Sequence, residues 1–209
     1  IFDKSQSLFR WAHGYDIRGK TLPQLAKEQG LRFKALIGHG AGYGVPDKLY
    51  DALGSDIDHI FNVDPVSIWL LDPKSLAAGL PEITAKVGAE YQKAKPDMKA
   101  KSAALGQGAS NSFVFFNDVL PRAIKKYGGI DSESLRKAAL DTDIATGGTL
   151  LGYGVKFPQK GDNDMIGQNM RAAPVVMQYV DRKVYIAWPK ALQTIDPVMP
   201  LPKSSAFTK

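Results

Sequence analysis

The sequence predicts an α/β fold in which mostly parallel strands are flanked by helices. Three observations carry the prediction. Amphipathic helical periods alternate with short β-branched runs along the chain. Two of those runs end on turn-forming segments, Gly38 to Gly44 and Asp64-Pro65. A final pair of alternating apolar runs turns at Asp181-Arg182. Parallel neighbours need crossover helices, so helices alternating with strands imply a sheet of this kind.

The elements follow in order. Thr21 as N-cap, Pro23 in the first turn and Gly30 past the end predict a helix over 21–29, with Leu22, Leu25 and Ala26 on one face. A strand is expected over 33–37. Pro46 to Leu53 reads as a helix closed by Gly54, and 58–63 as a strand ended by Asp64-Pro65, where proline removes a ladder donor. Leu80, Ile83, Val87 and Tyr91 give helical spacing over 80–95. Phe113, Phe116, Leu120, Ala123 and Ile124 give it over 110–127, before Gly128-Gly129, with Phe116 assigned to the core. Ser132 is the expected cap of a helix to Leu140, and Thr149 to Phe157 opens a strand-rich end. The proline-punctuated segment from Pro197 is expected to be irregular.

Composition narrows the function classes. The 209 residues are 44% hydrophobic, enough for a sizeable core in one large or two small domains. With no cysteine, disulfide frameworks, thiolate nucleophiles and cysteine metal sites are excluded together. No window reaches the roughly 20 apolar residues of a bilayer span, and residues 1–20 lack the order of a signal peptide. The expectation is a soluble chain, mature or truncated. The net charge of +6 comes from scattered Lys and Arg, dense only at Lys93, Lys95, Lys99 and Lys101, so no nucleic-acid partner is expected.

Enzymatic signatures are lacking as well. His13, His39 and His59 lie far apart, no HExxH or GxSxG occurs, and Asp162-Asn163-Asp164 lacks the glycine and glutamate of a calcium loop. Nothing in the spacing brings Asp56, Asp58 and Asp64 into one acid/base cleft. The expectation is a protein that is not an enzyme and uses neither cofactor nor metal.

Two segments are candidates for binding. In open α/β sheets ligands bind at the carboxyl ends of strands, which points to Gly38-His39-Gly40-Ala41-Gly42-Tyr43-Gly44 and to Asp64. The alternating glycines fit neither the dinucleotide nor the phosphate-loop fingerprint. They permit close approach of backbone to a small ligand, or they form a flexible strand-to-helix turn; both readings stand on the residues alone. The second segment is Ser110-Asn111-Ser112-Phe113, read as a helix start whose unpaired N–H groups suit a carboxylate. Simple capping is the alternative there.

The last third carries a family resemblance. Gly152-Tyr153-Gly154-Val155-Lys156-Phe157, then Gly161, then Gly167-Gln168-Asn169, then Val175 to Tyr179, closed by Trp188-Pro189, resembles the end of the solute-binding proteins of branched-chain amino-acid type ABC importers. The resemblance implies the type I periplasmic-binding fold of two lobes, here incomplete, and a periplasmic protein that captures a small organic solute by hinge closure. It implies delivery to an ABC permease in the membrane, without a cofactor. Its alternative is a ligand-sensing regulator of the same fold. On that pattern 1–62 belong to the second lobe, 63–160 to the first, 161–189 to the second again, and 190–209 form a tail. Crossings near Asp64-Pro65 and Phe157-Pro158 serve as hinges. Because such proteins are about twice this length, a missing N-terminal half is implied as a partner, with large exposed apolar surface in its absence.

The resemblance also names contacts. The loop after the first strand walls the ligand cleft, so His39, Gly40, Ala41, Gly42 and Tyr43 are implied to line it with Asp64, while Asn111, Ser112 and Phe113 supply a ligand-contacting aromatic region. In similar proteins that loop carries a glutamate for the ligand's ammonium group; the matching position here is Gly40, and no carboxylate lies between Gly38 and Gly44. The departure leaves a small organic solute as the expectation, a branched-chain or other hydrophobic amino acid or an aromatic or aliphatic carboxylate, and argues against a free amino acid. Residues 1–20, with Phe9, Trp11, His13 and Tyr15, fit no part of the pattern.

Overall fold

A computed structural model describes residues 34–39, 44–97, 106–158 and 167–205. The expected helix over 21–29, the aromatic run before it, Gly40 to Tyr43 and Asp162-Asn163-Asp164 lie outside the described residues. Those described fall into two compact units. One holds 34–64, Asp97 and 175–205; the other holds 65–96, 106–158 and 167–174.

The first unit is built on a four-stranded sheet in the order β1-β2-β5-β6, where β1 is Ile37–His39, β2 Phe61–Asp64, β5 Val175–Val180 and β6 Lys183–Trp188. β1 and β2 are parallel, with Ile37 opposite Phe61 and His39 opposite Val63. β2–β5 and β5–β6 are antiparallel, so the sheet is mixed. Between β1 and β2 runs α1, Pro46–Leu53, with proline in its first turn and Gly54 at φ 58 ending it, as the sequence predicts.

Both early strands start later than expected. β2 begins at Phe61 because His59 takes a positive φ of 70°, which no ladder accommodates. β1 is set by pairing with β2, so it extends through Gly38 and His39 rather than stopping at Ile37. The hairpin follows its local code: Asp181 and Arg182 sit at φ 50° and 60°, the type I′ signature, whose twist matches that of the strands.

Along β5, Val175, Met177 and Tyr179 are buried at alternate positions, and Leu49, Ile57, Ile60 and Ile186 are buried in the same unit. Each such side chain contributes about 1.5–3 kcal/mol by leaving water. The other face of β5 carries Gln178, which is fully buried and fully bonded. Its Nε2 donates to the carbonyls of His59 and Val198, and its Oε1 accepts from the Val198 amide. The tail is irregular as predicted, yet it is held, since the Leu201 amide also donates to Lys34 O at 2.7 Å.

The second unit is mainly helical. α2 spans Leu80–Ala94 and buries Leu80, Thr84 and Gly88, whereas Ile83 is 39% exposed. Of the expected face, Leu80 is buried and Val87 and Tyr91 pack against the core, so only Ile83 is turned outward. Gly88 is required there, because a Cβ would meet the Trp69 ring nitrogen at 2.7 Å. Trp69 and Tyr91 pack edge to face at 5.8 Å against a cluster centred on Ile68 and Leu151.

The next helix begins three residues earlier than predicted: α3 is Gln107–Val114, followed by a π-helical turn at Phe115–Val119 and by α4, Leu120–Tyr127. In the π turn the Leu120 amide donates to Phe115 O, five residues back. This extra residue rotates the apolar face, so Val119 and Ala123 are buried while Ile124 and Phe116 are exposed, Phe116 by 62%. The core assignment of Phe116 is thereby corrected. α5, Ser132–Leu140, is capped by Asp131, whose carboxylate accepts from the Glu133 and Ser134 amides; Ser132 is its first helical residue. A short antiparallel pair, β3 at Asp143–Ile144 and β4 at Val155–Lys156, completes the unit. Of the expected strand over 149–157 only β4 forms, since Thr149 to Gly154 make turns; β3 was not foreseen.

Candidate functional site

The first candidate lies at the carboxyl ends of β1 and β2. His39 closes β1 opposite Val63, and Asp64 closes β2 one residue further. Gly40, Ala41, Gly42 and Tyr43 lie outside the described residues. Asp64 is half-buried and accepts a hydrogen bond from Asn62 Nδ2 at 2.9 Å. Asn62 itself is wholly buried, and among the described residues its Oδ1 has no hydrogen-bond partner. Sequence reasoning missed this residue; its one signal was an amide between Phe61 and Val63 in a strand.

A clasp stands at the opposite end of these strands. Tyr50 donates to Asp58 Oδ1 at 2.5 Å, and the same oxygen accepts the Asp181 amide at 3.0 Å. Arg182 lies over the Tyr50 ring at 5.2 Å and pairs with Asp51 at 3.5 Å. Burial, reinforced by the bond to Asp58, pushes the Tyr50 hydroxyl well above the usual tyrosine range. The clasp ties the end of α1 to the hairpin turn.

The second unit holds a cavity of about 610 Å³, within the range of small-molecule sites. Val114, Phe115, Val119, Leu135, Val155 and Phe157 line it with apolar surface, and Ser110, Asn111, Tyr153, Gln168 and Asn169 add polar groups. Of the sequence candidates here, Asn111 lines the cavity, while Ser112 is exposed and Phe113 half-buried. Because α3 starts at Gln107, Asn111 and Ser112 sit past the first turn, where amides bond within the helix, so they are not the free N–H donors expected for a carboxylate.

Asn169, from the Gly167-Gln168-Asn169 motif, shapes one wall. Its Oδ1 accepts from the Lys156 and Arg171 amides and its Nδ2 donates to Gly154 O, each at 3.0 Å. Asp143 holds the same corner through Lys156 at 2.6 Å and Arg171 at 2.5 Å, bonds that keep its carboxyl below the usual carboxylate range. At the rim, Arg136 is engaged by Glu133 through two 3.0 Å bonds. Burial raises the Tyr153 hydroxyl. Among the described residues no three His, Asp or Glu side chains gather to hold a metal, and no helix is long and apolar enough to cross a membrane.

The described residues form a mixed α/β sheet unit and a mainly helical unit, and sequence comparison supports the type I periplasmic-binding fold class. The 169 aligned residues are similar to Leu/Ile/Val-binding proteins. They are 31% identical to Leu/Ile/Val-binding protein homolog 7 of Brucella abortus (strain 2308), covering 80% of this chain and 38% of that protein. Homolog 8 of Brucella suis biovar 1 (strain 1330) is 32% identical over 168 residues, 80% of this chain and 37% of the relative. The chain thus spans well under half the length of the curated relatives it matches. No family model matches the sequence.

Proposed function

We propose that the protein is the solute-binding component of an ABC importer, capturing a small organic solute in the periplasm and delivering it to a membrane permease. The observation that carries this reading is the parallel β1–β2 pair, which ends side by side at His39 and Asp64 in a chain related to Leu/Ile/Val-binding proteins. Solutes in open α/β sheets dock at such strand ends. On this reading His39, Gly40, Ala41, Gly42, Tyr43 and Asp64 form one set of contacts, and Asn111, Ser112 and Phe113 with the cavity beside Asn111 form another. The two compact units correspond to parts of the two lobes, and hinge closure over the solute is the step that a permease reads.

The family relation supports binding rather than turnover, and the same reading places further lobe segments in an N-terminal partner half. Large apolar side chains left exposed, Ile37 at the outer edge of β1 and Phe116, Ile124 and Ile130 in the helical unit, support that part of the proposal. Thermal-shift screening of the full-length gene product against branched-chain amino acids, aromatic acids and small carboxylates tests it. Stabilisation by one chemical class is the expected result. No stabilisation by any of them, or turnover of one, overturns it.

A further inference from the structure

The cavity of the helical unit is shaped by an uncommon piece of backbone. Phe115 opens the π turn and Val119 closes it, and both line the cavity. Such turns are rare and recur at functional sites. This one is braced by one of its own side chains, as Asn117 Nδ2 donates to Phe113 O at 2.8 Å. Phe115, 37% exposed, stands edge to face with Phe116 at 5.2 Å, an arrangement that holds an aromatic ring at the cavity wall. Val119 and Val155 are buried lining residues, and Leu135 and Phe157 extend the apolar surface.

The polar lining divides by duty. Asn169 commits both ends of its amide to the backbone, whereas Gln168, its neighbour in the motif, makes no side-chain hydrogen bond to another described residue. The same is true of Asn111 and Tyr153, and all three line the cavity. Tyr153 packs against the Ile68–Leu151 cluster, and burial keeps its hydroxyl protonated and able to donate. Charge is arranged otherwise. Among the described lining residues only Arg136 is charged, and its Nε and Nη2 donate to the two carboxylate oxygens of Glu133. An ammonium group would meet no carboxylate in the lining, and a carboxylate would have to compete with Glu133. A charged end that loses water without such a partner costs more than a neutral one.

We infer that this cavity takes the aromatic body of a solute together with an uncharged hydrogen-bonding end, such as a carboxamide or an alcohol, with Phe115 against the ring and Tyr153, Asn111 and Gln168 around the polar end. The inference deepens the solute-binding reading and rests on it. It narrows the solute to a neutral aromatic compound.

Calorimetric titration of the full-length gene product with three compounds of one shape tests this: 3-phenylpropanamide, 3-phenylpropanoate and 3-phenylpropylamine. The amide is expected to bind about tenfold more tightly than either charged compound. Gln168→Leu and Tyr153→Phe are each expected to weaken the amide by about threefold to tenfold, the effect of one neutral hydrogen bond. Ala139→Phe fills the cavity from a half-buried position on α5 and is expected to remove amide binding. If that variant does not fold, Gln168→Leu, at an exposed position, decides. A charged compound bound as tightly as the amide, or an amide affinity indifferent to Gln168→Leu and Ala139→Phe, overturns the inference. So does a protein that binds none of the three compounds yet is stabilised by an amino acid or a small carboxylate in the thermal-shift screen, and the solute-binding reading then stands. A protein that responds to no compound in either experiment overturns that reading too.

Discussion

The β5–β6 hairpin and the helix from Gln107 to Tyr127 both bury apolar residues, but they obey different codes. Along β5 the apolar core positions Val175, Met177 and Tyr179 are those that alternation assigns, even though Gln178 is buried between them and a bulge shifts the pairing with β6 after Val176. In the helix the period of 3.6 holds only until Phe115, where a π turn inserts a residue and turns the apolar stripe toward Val119 and Ala123. A strand's facing is locked by neighbours on both sides; a helix can absorb an extra residue and re-aim everything after it.

Substitutions sharpen this contrast. Met177→Ala, at a position 0% exposed, is expected to cost about 3 kcal/mol in denaturant unfolding, since it deletes a side chain from a site that cannot collapse freely. A loss under about 1 kcal/mol would show that the hairpin face is not part of a tight core. Asn169→Ala is expected to cost about 2 kcal/mol, because one side chain satisfies two amides and one carbonyl at the edge of the helical unit.

The acid limb of stability provides a subtler test. Asp143, lowered by its bonds to Lys156 and then Arg171, contributes stability that is present above the ordinary carboxylate range and fades as pH falls through its folded value. Asp143→Asn should therefore flatten the melting temperature between neutral and acid pH, and an unchanged slope would remove the corner's electrostatic role. The smallest effect belongs to Phe116→Ala, within about 0.5 kcal/mol for this chain. A cost near that of Met177→Ala would mean that the π turn does not rotate the face outward.

What could be read ahead of the structure was local. Pro46, Gly54 and the Asp181-Arg182 turn announce their elements because backbone geometry alone selects those residues. The helix over 80–94 was legible in extent and, through Leu80, Val87 and Tyr91, in most of its facing, whereas the burial of Gly88 was not, since it depends on Trp69 from a preceding segment. The π turn had no sequence signal, and so Phe116 seemed to belong inside. At the site, Asp64 was legible from the proline that ends its strand. Asn62 was not, because its isolation from water depends on neighbours in β1 and β5 that only folding supplies.

The two-way amide bond between Gln178 and Val198 makes an irregular segment part of the sheet's interior. Two of the three hydrogen bonds of a buried glutamine are made by a single residue that belongs to no strand. Whatever loosens that residue therefore leaves polar atoms unsatisfied in the middle of the sheet, so order in the segment and order in the strand rise and fall together.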